Sequence, residues 1–157
     1  QHEGGDAQCA ELLAQHHHAQ KDREQRVDVI AKAGLDDAPE YSFDSKLIYF
    51  SSHRTGRVQL YRMKPDGTEQ EQLTNDEFDN WYAHPSPDGK WIVYMAYLED
   101  QKGKHPLGKE VKLRLLNLQT KQIKDLTEPF AGGQGALSAP CWSPDSKRVV
   151  FISYKID

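Results

Sequence analysis

Cysteine is scarce: Cys9 and Cys141 are the only two in 157 residues. With no Cys-x-x-Cys spacing they support neither a disulfide framework nor a thiolate metal site; they read as one loose surface thiol and one packed thiol. No apolar run approaches the length needed to span a bilayer, and no Lys/Arg-led apolar start marks a secretory leader. Positive charge is also lacking. Twenty Lys and Arg against 24 Asp and Glu leave a net charge of -4 and a pI of about 6.0, which offers no broad attraction to nucleic acid or to an anionic membrane. Those two partners are therefore not expected. A Gly-x-Ser-x-Gly nucleophile turn is missing as well, so hydrolase chemistry would need another domain.

What remains is one domain's worth of chain, long enough to bury a core of its own. It is 37% apolar and 28% charged, and its mean hydropathy of -0.81 points to exposed polar segments. One phrase organises it. Tyr41-Ser-Phe-Asp-Ser-Lys-Leu-Ile-Tyr-Phe50 returns as Pro85-Ser-Pro-Asp-Gly-Lys-Trp-Ile-Val-Tyr94 and again as Trp142-Ser-Pro-Asp-Ser-Lys-Arg-Val-Val-Phe151. Each copy is Ser-x-Asp-x-Lys followed by β-branched and aromatic residues, the pattern of a turn feeding a buried strand. Asp44 and Asp88 are 44 positions apart, a spacing typical of one four-stranded propeller blade. Asp88 and Asp145 are 57 apart; two insertions account for the difference, the Gln101–Gly108 loop and the Gly-rich Phe130–Gly135 stretch.

Strands are predicted at Ala38–Ser42, Leu47–Ser52, Val58–Met63 and Gln70–Thr74, an antiparallel meander. The second unit repeats the order at Trp81–Ser86, Trp91–Tyr97, Val111–Leu118 and Ile123–Thr127. A third begins near Ser138–Trp142 and Arg148–Tyr154. Trp91–Tyr97 is apolar on both sides, as in a sheet covered on both faces. The fold class is thus all-β, with antiparallel four-stranded propeller blades and an incomplete ring of about two full blades plus partial ones. Residues 1–35 form a polar N-terminal segment, and the partial propeller occupies 36–157. Within the segment, Lys21–Leu35 reads either as a short helix ending at Gly34 or as an edge strand at Val27–Ile30. The strand is preferred, because Ile30 precedes Asp44 by the same 14 positions that separate Thr74 from Asp88. His16, His17 and His18 are a solvated run: consecutive side chains on a helix point about 100° apart and do not converge on one ion.

The string from Tyr41 to Thr74 resembles the WD-like β-propeller repeat of TolB and its relatives. The resemblance extends over about residues 36–154; in the first copy Phe43 and Ser45 stand where the repeat usually has Pro and Gly. It implies an exported, usually periplasmic, propeller that serves as a binding platform for an envelope protein or glycan, with no cofactor. Closed propellers have about four to eight blades, so three phrases imply self-association, the remainder of a longer propeller, or closure by strands donated from before Asp36.

In such a propeller the first strand of each blade lines the channel and the loops leading into it form a binding face. The candidate ligand-binding residues are Asp36, Asp37, Asp79, Asn80, His84 and Gln134 as a polar rim, with Trp81 and Tyr82 as stacking surfaces. The bland alternative is that the acids and Asn80 make turn hydrogen bonds and the aromatics pack between blades. An enzyme alternative is a metal-dependent propeller lyase acting on acidic oligosaccharides, for which His84 and Gln134 are the only ligand candidates. Two ligands do not make a metal site, so no catalytic residue and no metal is expected.

Overall fold

The computed structural model describes residues 35–137 and 141–155. The expectations for Cys9, His16, His17, His18, the helix or strand within Lys21–Gly34, a donated N-terminal strand, and Ser138–Pro140 fall outside those residues. Among the described residues there is no helix, and the chain is all-β. Strands β1 (Asp36–Tyr41), β2 (Ile48–Ser52), β3 (Gln59–Met63) and β4 (Glu71–Gln72) form one antiparallel sheet in sequence order. Strands β5 (Asp79–Pro85), β6 (Trp91–Tyr97), β7 (Lys109–Asn117) and β8 (Ile123–Asp125) form a second, with β9 (Phe130–Gly132) added beside the start of β7. These are two propeller blades and the beginning of a third.

The thrice-used phrase turns out to be a closed hydrogen-bond circuit. In the second copy the Ser86 hydroxyl donates to Asp88 at 2.7 Å and accepts from the Trp91 amide at 3.0 Å, while Asp88 accepts from the Lys90 amide at 3.1 Å. The first copy makes the same bonds from Ser42 to Asp44 and from Leu47 and Lys46. The third makes them from Ser143 to Asp145 and from Arg148 and Lys147. The residue after Asp adopts a left-handed backbone in all three, with φ of 58° at Ser45, 69° at Gly89 and 59° at Ser146. Glycine is the residue best suited to that angle, yet the circuit holds two serines in it. Replacing Pro and Gly in the first copy leaves the turn where it was expected.

A second repeated device is a kink in the innermost strands. Between Asp37 and Glu40 on β1, and between Trp81 and His84 on β5, one extra residue is inserted against the partner strand. Ala38 and Tyr82 sit at these bulges with φ of 53° and 60°. They are 44 positions apart, so the bulge belongs to the blade pattern, and bulges re-aim the side chains beside them.

Packing follows the two-sided pattern of the sequence. Ile92, Tyr94 and Ala96 of β6 join Tyr49 and Leu60 of the first blade in one apolar cluster. Val93, Met95 and Tyr97 point the other way and join Leu113, Leu115, Leu137 and Cys141, with Trp142 and Val149 packed against them. Burying such side chains contributes on the order of 1.5–3 kcal/mol each, so β6 is the central plank between two blade contacts. The expected packed thiol is Cys141, 4% exposed.

The structure departs from expectation in several places: β5 starts two residues early, at Asp79, and β4 and β8 shorten to Glu71–Gln72 and Ile123–Asp125. The Phe130–Gly135 stretch does not merely insert; its first three residues are β9, pairing Lys109–Val111 with Gly132–Phe130. In the third unit the Arg148–Tyr154 strand is reduced to a single bridge, Trp142 to Val149. The amides of Val150, Ile152 and Tyr154 all bond inward, to Cys141, Ala136 and Ala131. The opposite edge, which β3 and β7 occupy in the two full blades, pairs with no described strand.

Candidate functional site

His84 and Glu40 occupy matching positions of β5 and β1, 44 residues apart like the phrases themselves. They meet. His84 Nδ1 faces the Glu40 carboxylate and its Nε2 lies 2.9 Å from the Leu137 carbonyl. The matching residue of the third unit is Cys141, followed by Trp142, whose indole donates to the His84 carbonyl at 2.9 Å. His84 therefore fastens the first blade, the second blade and the third unit at the inner strands. Both ring nitrogens face oxygen acceptors, an arrangement that only the imidazolium satisfies in full. Burial works against that charge, but the bond to Glu40, its carboxylate charge and the Leu137 carbonyl outweigh it and hold the His84 pKa above its ordinary value.

A separate cavity of about 340 Å³ opens on the loop face, lined by Leu35, Asp37, Trp81, Gly103, Lys104, His105, Pro106 and Gln134. It brings together two of the predicted rim residues, Asp37 and Gln134, with one predicted stacking residue, Trp81, and adjoins the other, Tyr82, through His105. The loop between β6 and β7 folds back over the rim and sets His105 between two blades. His105 Nε2 lies 3.2 Å from Asp37 on β1, and Nδ1 lies 3.0 Å from the Tyr82 hydroxyl on β5. In the neutral ring a proton on Nε2 donates to Asp37, leaving Nδ1 to accept from Tyr82. The phenol stays protonated, since burial, reinforced by the Asp37 charge, pushes its pKa up to about 12. The His105 ring also stands edge-on to Trp81 at 4.6 Å.

Backbone contact shapes the far wall. Tyr97 donates to the Pro106 carbonyl at 2.9 Å, and a Cβ on Gly133 would meet that oxygen at 2.0 Å. At φ 103°, and against a backbone atom that cannot swing aside, this position requires glycine.

The other predicted rim residues, Asp36, Asp79, Asn80 and His84, do not line this cavity. Asp79 is fully buried and accepts the amides of Val58 at 3.1 Å and Gln101 at 2.7 Å. It anchors the start of β3 and the loop that carries His105. Asn80, also fully buried, donates to Gln59, Thr74 and Asp76. Asp36 pairs with Arg54 at 3.3 Å. Trp81 is 2% exposed, so it offers almost no surface on which a ligand could stack. His84 does not line the cavity that Gln134 lines, and its ring nitrogens are turned to Glu40 and Leu137. His105 is the residue that sequence reasoning missed. The available signal was a His-Pro pair inside a polar insertion placed at the blade face, but nothing local says where such a loop lands.

No protein-family model matches the chain. It is 36% identical over 121 residues to an uncharacterized protein of Agrobacterium fabrum, across 77% of this chain and 41% of the relative. Among solved structures, a candidate TolB from Agrobacterium tumefaciens superposes with a TM-score of 0.74 at 34% identity, over 80% of this chain and 44% of that one. TolB from Acinetobacter baumannii shares the fold, with a TM-score of 0.54 at 21% identity, over 75% of this chain and 26% of that one. The chain thus spans less than half the length of these relatives, and the two solved TolB structures support the TolB-like propeller resemblance.

Proposed function

For a chain built as part of a TolB-like propeller, we propose a non-catalytic binding module whose loop face takes an envelope protein or glycan partner. The observation that carries the proposal is the cavity between blades, where Asp37, Tyr82 and His105 form a connected polar chain beside Trp81 and Gln134. Ligand sites are concave, largely apolar and fitted with a few convergent polar groups, and this cavity has that make-up. The TolB resemblance supports export to the periplasm and a role in contact with envelope components.

The test is binding measured on purified protein against an envelope extract and a glycan array, for the wild type and for the double variant Lys104→Gln/Gln134→Ala. Both side chains are exposed, so the variant is expected to fold. A partner retained by the wild type and weakened at least tenfold in the variant supports the proposal. Partner binding equal in both would place the interaction on another surface.

A further inference from the structure

We infer that residues 104–107 are a strap held across the first two blades by His105, and that protonation of His105 tightens it; what this means for a ligand rests on the binding role proposed above. The strap is bracketed by Gly103 and Gly108, both in the left-handed region with φ of 74° and 72°. Glycine moves between such angles and the ordinary ones at little steric cost, so these positions serve as hinges. Leu107, 59% exposed, ties the strap to no core. Between the hinges the strap is held at two points. The Pro106 carbonyl accepts from the Tyr97 hydroxyl at 2.9 Å and from the Gln134 amide at 3.4 Å. The His105 ring reaches Asp37 of β1 and Tyr82 of β5 and packs against Trp81, so lifting the strap exposes indole surface that the closed strap hides.

Only the second hold contains an imidazole, the side chain that titrates near neutral pH. Tyr82 and Tyr97 are phenols whose pKa values burial pushes upward, and Gln134 carries no charge. In the neutral ring Nε2 donates to Asp37 and Nδ1 accepts from Tyr82; in the imidazolium both nitrogens donate. A hydroxyl both donates and accepts, so Tyr82 turns its proton aside and takes that of Nδ1, and neither state leaves a ring nitrogen unpaired. What changes is the contact with Asp37, which becomes an ion pair at 3.2 Å. Bonds between charged partners are the stronger ones, and a lifted strap loses this one, so the closed strap is favoured as pH falls. The side chains of His105 and Asp37 are 27% and 48% exposed, and a part-exposed pair of this kind contributes a factor of about two to five. The other charged groups nearby are engaged or turned away. Lys102 pairs with Asp100, Asp79 accepts the amides of Gln101 and Val58, and His53 lies beside the hinge at Gly103. Lys104, next to His105, is exposed to solvent.

The measurement is amide hydrogen exchange of the folded 157-residue chain at about pH 5.5 and about pH 8, corrected for the intrinsic pH dependence of exchange. The reporters are the Gln134 amide, bonded to Pro106, and the Gly108 amide, which donates to the Gly132 carbonyl at 2.7 Å; the amides of β6, paired on both sides, are the reference. Relative to β6, protection of both reporters should be about two- to fivefold higher at the lower pH. His105→Gln and Asp37→Asn should each remove that difference while β6 stays protected. Both variants keep His53 and His84, so a pH dependence of their making would persist. The inference is overturned if wild-type protection is equal at the two pH values, or if the difference survives in either variant. No partner enters the experiment, so a negative result leaves the binding role standing, and a failed partner screen leaves the strap standing.

Discussion

Replacing His84 with phenylalanine should destabilise the protein by about 2–3 kcal/mol at mildly acidic pH. The substitution keeps a ring of similar size in a 6% exposed site and removes both donors, leaving Glu40 and the Leu137 carbonyl without them. Breaking a buried ion pair by deleting one partner costs about 3–5 kcal/mol. The Glu40 side chain is 30% exposed and recovers part of its hydration, which lowers the figure. For a chain of this length the loss corresponds to about 5–10 °C in Tm. The pH dependence has a definite sign. The folded pKa of His84 is raised above its ordinary value of 6.5, so its contribution is fully present below that value and is lost as pH rises through the folded pKa. Urea unfolding of wild type and His84→Phe at about pH 5.5 and about pH 9 should therefore show a larger difference at the lower pH. Glu40→Gln keeps an acceptor but removes the charge, and should cost about 1 kcal/mol while flattening the pH dependence. A His84→Phe penalty below about 0.5 kcal/mol, or one equal at both pH values, would refute the idea that a charged imidazole joins the blades.

Three further outcomes are expected. Tyr94 is fully buried and its hydroxyl has no hydrogen-bond partner among the described residues, so Tyr94→Phe should be neutral or stabilising by up to about 1 kcal/mol in the same denaturant assay, whereas Tyr94→Ala should cost about 3–5 kcal/mol. Gly133→Ala should cost at least about 2 kcal/mol, since the new Cβ meets the Pro106 carbonyl at 2.0 Å, and it should abolish ligand binding at the adjoining cavity. In a Cys9→Ser background, Cys141 should react with Ellman's reagent only on unfolding, because burial, with Glu40 nearby, pushes its thiol pKa up to about 12 and the thiolate is the reacting form.

What the sequence by itself determined about this protein is the blade. The Ser-x-Asp-x-Lys circuit closes within six residues, from Ser86 to Trp91 in the second copy, and a local circuit needs no other part of the chain to be legible. The β6 strand, expected and found at Trp91–Tyr97, was equally readable, because its two apolar faces are written in alternate residues. The tertiary structure alone decided which polar groups remain for a ligand. Asp79 and Asn80 look like rim residues in sequence, but β5 extends back to Asp79 and buries both against Val58, Gln101 and Gln59. His84 meets Glu40 across 44 positions, and His105 meets Tyr82 across 23. Those contacts depend on how two blades stack and where a long loop comes to rest, and neither is encoded in any spacing that a single strand or turn can display.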